Sequence, residues 1–190
     1  MRAVLIWVLC SAAAAGADLT VVMDFDDEQS AVSIEEMKRE TQSILKDSGL
    51  QLDWRLRSDA GNSSFENLVF VRFKGRCRFE PVPYLYDERG PLAFTYSTDG
   101  RIQPFAEVSC DNVTAAMRPA MHTDQFAKGN LLMGRALGRV LAHELMHILT
   151  RSGKHGNDGD GKAALSGRQL ISGSLPLDPD DVRRVARANQ

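Results

Sequence analysis

The sequence predicts an α+β fold: a mostly four- to five-stranded sheet, two helices and a short irregular C-terminal tail. Five runs rich in Val, Ile, Leu and Phe have the length and composition of strands. A capped amphipathic stretch follows the first of them, and a long apolar-periodic stretch, about residues 126–150, follows the last.

Each element has a local reason. Asp18 to Phe25 (DLTVVMDF) alternates and is rich in Val and Leu, so it reads as a strand. Ser33 stands three residues before Glu36 as a capping box, and Ile34, Met37, Thr41, Ile44 and Leu45 recur at helical spacing until Gly49 stops the run. Leu50 to Leu56 and Leu68 to Phe73 are again strand-like. Glu80 to Pro91, rich in Pro and Tyr, reads as an ordered surface loop. Beyond it, Leu92 to Tyr96 and Ile102 to Cys110 flank Ser97-Thr98-Asp99-Gly100, whose Asp-Gly signals a hairpin. The next segment reads as a linker, with a helix starting near Thr123 or Asp124 and the long helix running to about Leu149. In that helix Gly134 and Gly138 predict close packing against the sheet. The tail from Thr150 is rich in Gly, Ser and Asp, with a short helix after Pro179 whose Arg183, Arg184 and Arg187 read as a solvated end.

Hydrophobic residues make up 43% and charged residues 25% of the 190, which excludes a disordered, collagen-like or coiled-coil chain. A formal net charge of −2 with no basic run gives no electrostatic reason for a nucleic-acid partner. The first 17 residues join Arg2, an apolar run from Ala3 to Cys10 and a small-residue stretch ending Ala15-Gly16-Ala17, the three-part pattern of a signal peptide. A membrane anchor would need roughly 20 apolar residues, so export is expected, to the outside or the periplasm, with residues 18–190 forming one domain. The later stretch Leu131 to Leu149 carries Arg135, Arg139, His143, Glu144 and His147 and is no span. Export leaves Cys77 and Cys110 in an oxidising compartment, which favours a disulfide over a pair of thiolate metal ligands.

The chemistry concentrates in HELMHILTRSGKH. His143 and His147, four apart on a helix, project from one side at a separation that a single metal ion can bridge. At about 100° per residue, Met133, Leu137, Val140, Leu141, Leu145 and Ile148 share a broad apolar side, while Arg135, Arg139, Ala142 and Met146 share the opposite side, expected to face solvent. Glu144 falls in the middle of the apolar arc, where an ionised carboxylate costs several kcal/mol unless a cation or a hydrogen-bond donor meets it. A catalytic zinc takes three protein ligands and keeps one open position. No Glu follows Glu144, so the third ligand is sought among His155, Asp158 and Asp160; His155 is preferred because neutral imidazole suits zinc and Gly153 lets the chain turn back after the helix. Asn157 to Gly161 could instead form a small calcium loop, but it lacks the closing acidic residue.

The H-E-x-x-H string resembles the signature of the zincin metallopeptidases, and the order of strands and helices resembles the upper subdomain of one branch, the metzincins. The resemblance implies a twisted sheet backed by two helices, zinc at the foot of the sheet, and an edge strand that pairs with extended substrate, here Leu92 to Tyr96. Metzincins carry a Gly three residues after the second His and a third His three further on. This chain has Thr150 and Gly153 there, its His155 comes two positions late, and no Met follows Met146 to form a Met-turn. The function implied is a secreted zinc-dependent peptide hydrolase in which His143, His147 and His155 hold Zn2+ and Glu144 is the general base acting on a metal-bound water. Tyr84, Tyr86, Tyr96 and His122 are the candidate oxyanion donors. The alternatives are a non-catalytic zincin-shaped module that binds an extended partner, and a structural domain in which the string is accidental.

Overall fold

A computed structural model describes residues 19–81, 90–155, 159–161 and 164–188. The expected signal peptide, Tyr84, Tyr86 and Asp158 lie outside the described residues. The chain runs β1 (Leu19–Phe25), α1 (Ala31–Leu45), β2 (Leu52–Leu56), a single turn α2 (Arg57–Ala60), β3 (Leu68–Lys74), β4 (Ala93–Thr98), β5 (Arg101–Ser109), α3 (Cys110–Met117), α4 (Gly129–Thr150), α5 (Gly167–Ile171) and α6 (Pro179–Ala188). The strands form one mixed sheet in the order β2-β1-β3-β5-β4. The first four are parallel and β4 runs antiparallel to β5, with Thr95 opposite Ala106. The β4–β5 turn uses Asp99 and Gly100 at φ 51° and 74°, the left-handed pair that a two-residue hairpin requires. β4 therefore lies at the sheet edge, as the resemblance implies.

The core lies on one face of the sheet, where Val21, Met23, Val69, Val71, Phe73, Ala106 and Val108 meet Met37, Leu45, Leu137, Leu141 and Leu145 of α1 and α4. Cys77 and Cys110 are joined in a disulfide that ties the segment after β3 to the first residue of α3.

Five expectations need correction. Ser33 does not open α1 as a capping box: it lies inside the helix, whose N-cap is Ser30, and its hydroxyl donates to the Asn130 carbonyl at 2.9 Å. The linker after β5 contains a helix, α3, whose N-cap Ser109 accepts a hydrogen bond from the Asn112 N–H at 3.3 Å. The tail is less irregular than expected: Ser166 and Gln169 form a capping box that opens α5. Gly134 and Gly138 pack against α1 rather than the sheet. A Cβ at Gly134 would lie 2.4 Å from the Ser33 carbonyl oxygen, and one at Gly138 would lie 2.8 Å from that of Met37. The bare helix surface also lets Thr41 Oγ1 donate to the Gly138 carbonyl at 3.1 Å. Finally, the side of α4 expected to face solvent is buried: Arg139 and Ala142 are 0% exposed and Met146 is 1% exposed. The tail is the cause, since Leu170, Ile171, Leu177 and Val185 join the same core and close over it.

Burying Arg139 requires partners, and it has four. Its Nε donates to Glu40 Oε1 at 2.8 Å, and its guanidinium also donates to the carbonyls of Gln169, Ser172 and Gly173. The side chain that the sequence pattern assigns to water is the clamp between α1, α4 and the tail.

Candidate metal centre

α4 carries His143 and His147 one turn apart, with ring centroids 4.6 Å apart and planes at 87°. Arg151, at φ 49°, caps α4 in the left-handed conformation, and the Ser152 N–H donates to the His147 carbonyl at 3.1 Å. Arg151, and not the expected Gly153, reverses the chain, since Gly153 is absent from the positive-φ positions. The reversal brings the exposed ring of His155 over His143, nearly parallel at 17° with centroids 5.2 Å apart. One ligand nitrogen from each of His143, His147 and His155 lies within 4.8 Å of the others, so the group could hold a metal ion.

Backbone acceptors orient the two helical imidazoles. His143 Nδ1 lies 2.7 Å from the Asp160 carbonyl and His147 Nδ1 lies 2.7 Å from the Ser152 carbonyl. A carbonyl only accepts, so both Nδ1 atoms carry the proton and both Nε2 atoms present lone pairs. Those Nε2 atoms are 3.0 Å apart. Two lone pairs facing each other at that distance repel unless a cation lies between them, whereas two nitrogens on one tetrahedral zinc at about 2.0–2.1 Å stand roughly 3.4 Å apart. The donor set thus suits a metal such as zinc. Burial pushes both imidazoles below the usual histidine range, which favours the neutral, ligating form.

Asp160, a candidate third ligand, enters through its backbone. Its carboxyl is fully buried, has no hydrogen-bond partner among the described residues and is pushed well up by desolvation.

Glu144 is 6% exposed, as its place in the apolar arc requires. Among the described residues no arginine or lysine bonds it. Thr95 Oγ1 on β4 donates to Glu144 Oε2 at 2.6 Å. Burial raises the carboxyl above the ordinary range, and the Thr95 hydrogen bond draws it partly back. A cleft of about 510 Å³ lies between β4 and α4, with Leu92, Ala116, Val140 and Leu165 forming apolar wall around Glu144 and the three imidazoles. Tyr96 and His122 do not line it; Tyr96 packs on Phe105 with centroids 4.6 Å apart, and His122 caps the turn before α4. Thr95 and the carbonyls of Ser152 and Asp160 escaped the sequence reading, because side-chain patterns do not reveal backbone acceptors or partners brought in from another element.

No helix among the described residues is long and apolar enough to cross a membrane. No protein-family model matches the chain, and no curated protein matches it. Among solved structures, it is similar to the crystal structure of archaemetzincin from Methanopyrus kandleri: TM-score 0.57, 11% sequence identity, 92% of this chain and 97% of that one covered. At that identity the likeness concerns the fold, which is α+β and zincin-like.

Proposed function

We propose that this chain is an exported, zinc-dependent peptide hydrolase. The observation that carries the reading is the meeting of three imidazoles, two of them held in the ligating tautomer, beside a buried carboxylate that no arginine or lysine among the described residues neutralises. The zincin-like fold supports it. His143, His147 and His155 would hold the zinc, with the carbonyls of Asp160 and Ser152 fixing the first two. Bound zinc supplies Lewis acidity, which polarises a carbonyl and brings the acidity of water to about pH 7.

The chain does the rest. Glu144 takes a proton from the attacking water and passes it to the leaving amine nitrogen. As an edge strand, β4 offers backbone groups to an extended peptide, and the apolar cleft wall keeps bulk water away from the carboxylate. Export is supported by the pattern of Met1 to Ala17 and by the Cys77–Cys110 disulfide.

The test is metal analysis with a peptide-cleavage assay. Stoichiometric zinc, cleavage abolished by a chelator and restored by zinc, and an E144Q protein that keeps zinc but no longer cleaves are the expected results. An E144Q protein as fast as the wild type removes Glu144 as the base. A zinc-loaded wild type that turns over no peptide favours the binding-module reading instead.

A further inference from the structure

We infer that Thr95 is the positioning residue of Glu144: its hydroxyl, delivered by the edge strand β4, holds the carboxylate in the orientation from which it exchanges protons. This rests on the peptidase reading above.

Glu144 is 6% exposed, and the hydrogen bond that Thr95 Oγ1 donates to its Oε2, 2.6 Å long, is the one polar side-chain contact made to its carboxylate among the described residues. A hydroxyl donating to one carboxylate oxygen leaves the other, Oε1, to accept a proton from water. Without that donor a glutamate side chain has several rotatable bonds and several rotamers to choose from.

Thr95 is built to give a fixed direction. It is β-branched, so its χ1 is stiff in a strand. Its backbone is registered opposite Ala106 of β5, which is itself fully buried. The strand register shifts between Thr95 and Ser97, so the ladder is irregular at Tyr96, immediately after the position that meets Glu144. Irregularities of that kind re-aim side chains beside functional sites. Tyr96 turns to Phe105, while Thr95 turns to α4. β4 is also an edge strand of the sheet, so a peptide pairing there would brace the residue that orients the base.

The experiment compares wild type, T95V and T95S as zinc-loaded proteins, and measures kcat, KM, zinc stoichiometry and Tm. Val keeps the shape and deletes the donor; Ser keeps the donor and loses the stiff χ1. The expected result is a fall in kcat of about 10- to 100-fold for T95V, the usual cost of losing such a partner, with KM and zinc content unchanged. T95S restores kcat to within a few-fold. A Tm cycle with E144L supplies a readout that does not depend on turnover: the Tm loss caused by T95V in the wild type should disappear in the E144L background. A T95V protein with wild-type kcat, a T95S protein as impaired as T95V, or Tm losses that simply add would each overturn the proposal. If the wild type cleaves no peptide, the peptidase reading fails by itself, and the Tm cycle still decides whether Thr95 and Glu144 act as a pair.

Discussion

Replacing Arg139 by Met tests the claim that a charged residue is the clamp of this fold. Met keeps most of the aliphatic length and removes the guanidinium. The change strands Glu40, whose side chain is 11% exposed, and three carbonyl groups of the tail. Breaking a buried ion pair by removing one partner costs about 3–5 kcal/mol. The lower end applies here, for two reasons. Arg39 still stands 3.5 Å from Glu40 Oε2, and Ser172 and Gly173 are exposed enough for water to reach their carbonyls. A loss of about 3 kcal/mol lowers Tm by roughly 6–12 °C for a chain of this size. Urea and thermal unfolding followed by circular dichroism measure it. The E40M/R139M double variant, which removes both charges, should recover much of the loss, because burying an unpaired charge is the expensive part. Arg39→Met is the control: Arg39 is 58% exposed, and its removal should cost less than about 1 kcal/mol. If Arg139→Met costs no more than Arg39→Met, the residue behaves as the solvent-facing arginine of the helical wheel, and the clamp is refuted.

Two other perturbations follow from the packing and the charges. Gly134→Ala gains helix propensity worth about 1 kcal/mol but sets a methyl group 2.4 Å from the Ser33 carbonyl oxygen, so α1 and α4 must part; a net loss of about 2 kcal/mol is expected in urea unfolding, against a near-neutral Gly153→Ala, whose Cβ meets nothing within 4 Å. Glu36 has its pKa lowered, chiefly by the Arg39 hydrogen bonds and against the opposing effect of burial. A lowered carboxyl stabilises the fold above its unfolded pKa and loses that contribution as pH falls through the folded value, so the stability gap between wild type and Glu36→Gln should be present at about pH 7 and shrink on acidification through the lowered pKa. With Arg39 so exposed, the gap is under about 1 kcal/mol; a gap that widens on acidification would contradict the assignment.

The strands and the two main helices are legible in the sequence because their signals are local. Apolar runs, the Asp99-Gly100 turn and the HELMH periodicity each act within a few residues. The errors arise where a distant segment decides the outcome. Arg139 sits correctly on the wheel, but the wheel cannot show that residues 169–173 will fold over that side and offer three carbonyls. Gly134 and Gly138 announce a close approach without saying to what. α3 and α5 did have local signals, in the cap at Ser109 and the Ser166–Gln169 box, but both helices are short and lie in segments rich in turn formers. Of the site, HELMH and His155 are visible in the sequence; the partner of Glu144 is not, because it sits 49 residues away on another element.

The two halves of the site differ in how far the chain must reach to build them. The carbonyl that orients His147 is 5 residues away and the one that orients His143 is 17 away, so the imidazole cradle closes through short loops. Joining Thr95 to Glu144 closes a span of 49 residues, an entropic difference of about 2 kcal/mol relative to the shortest loop, and it further requires an assembled sheet. If the proposed reading holds, damage to the sheet would misalign Glu144 before it disturbs the imidazole cluster. On the proposed reading, bound zinc in a sheet variant would report on the short loops and not on the Thr95–Glu144 contact.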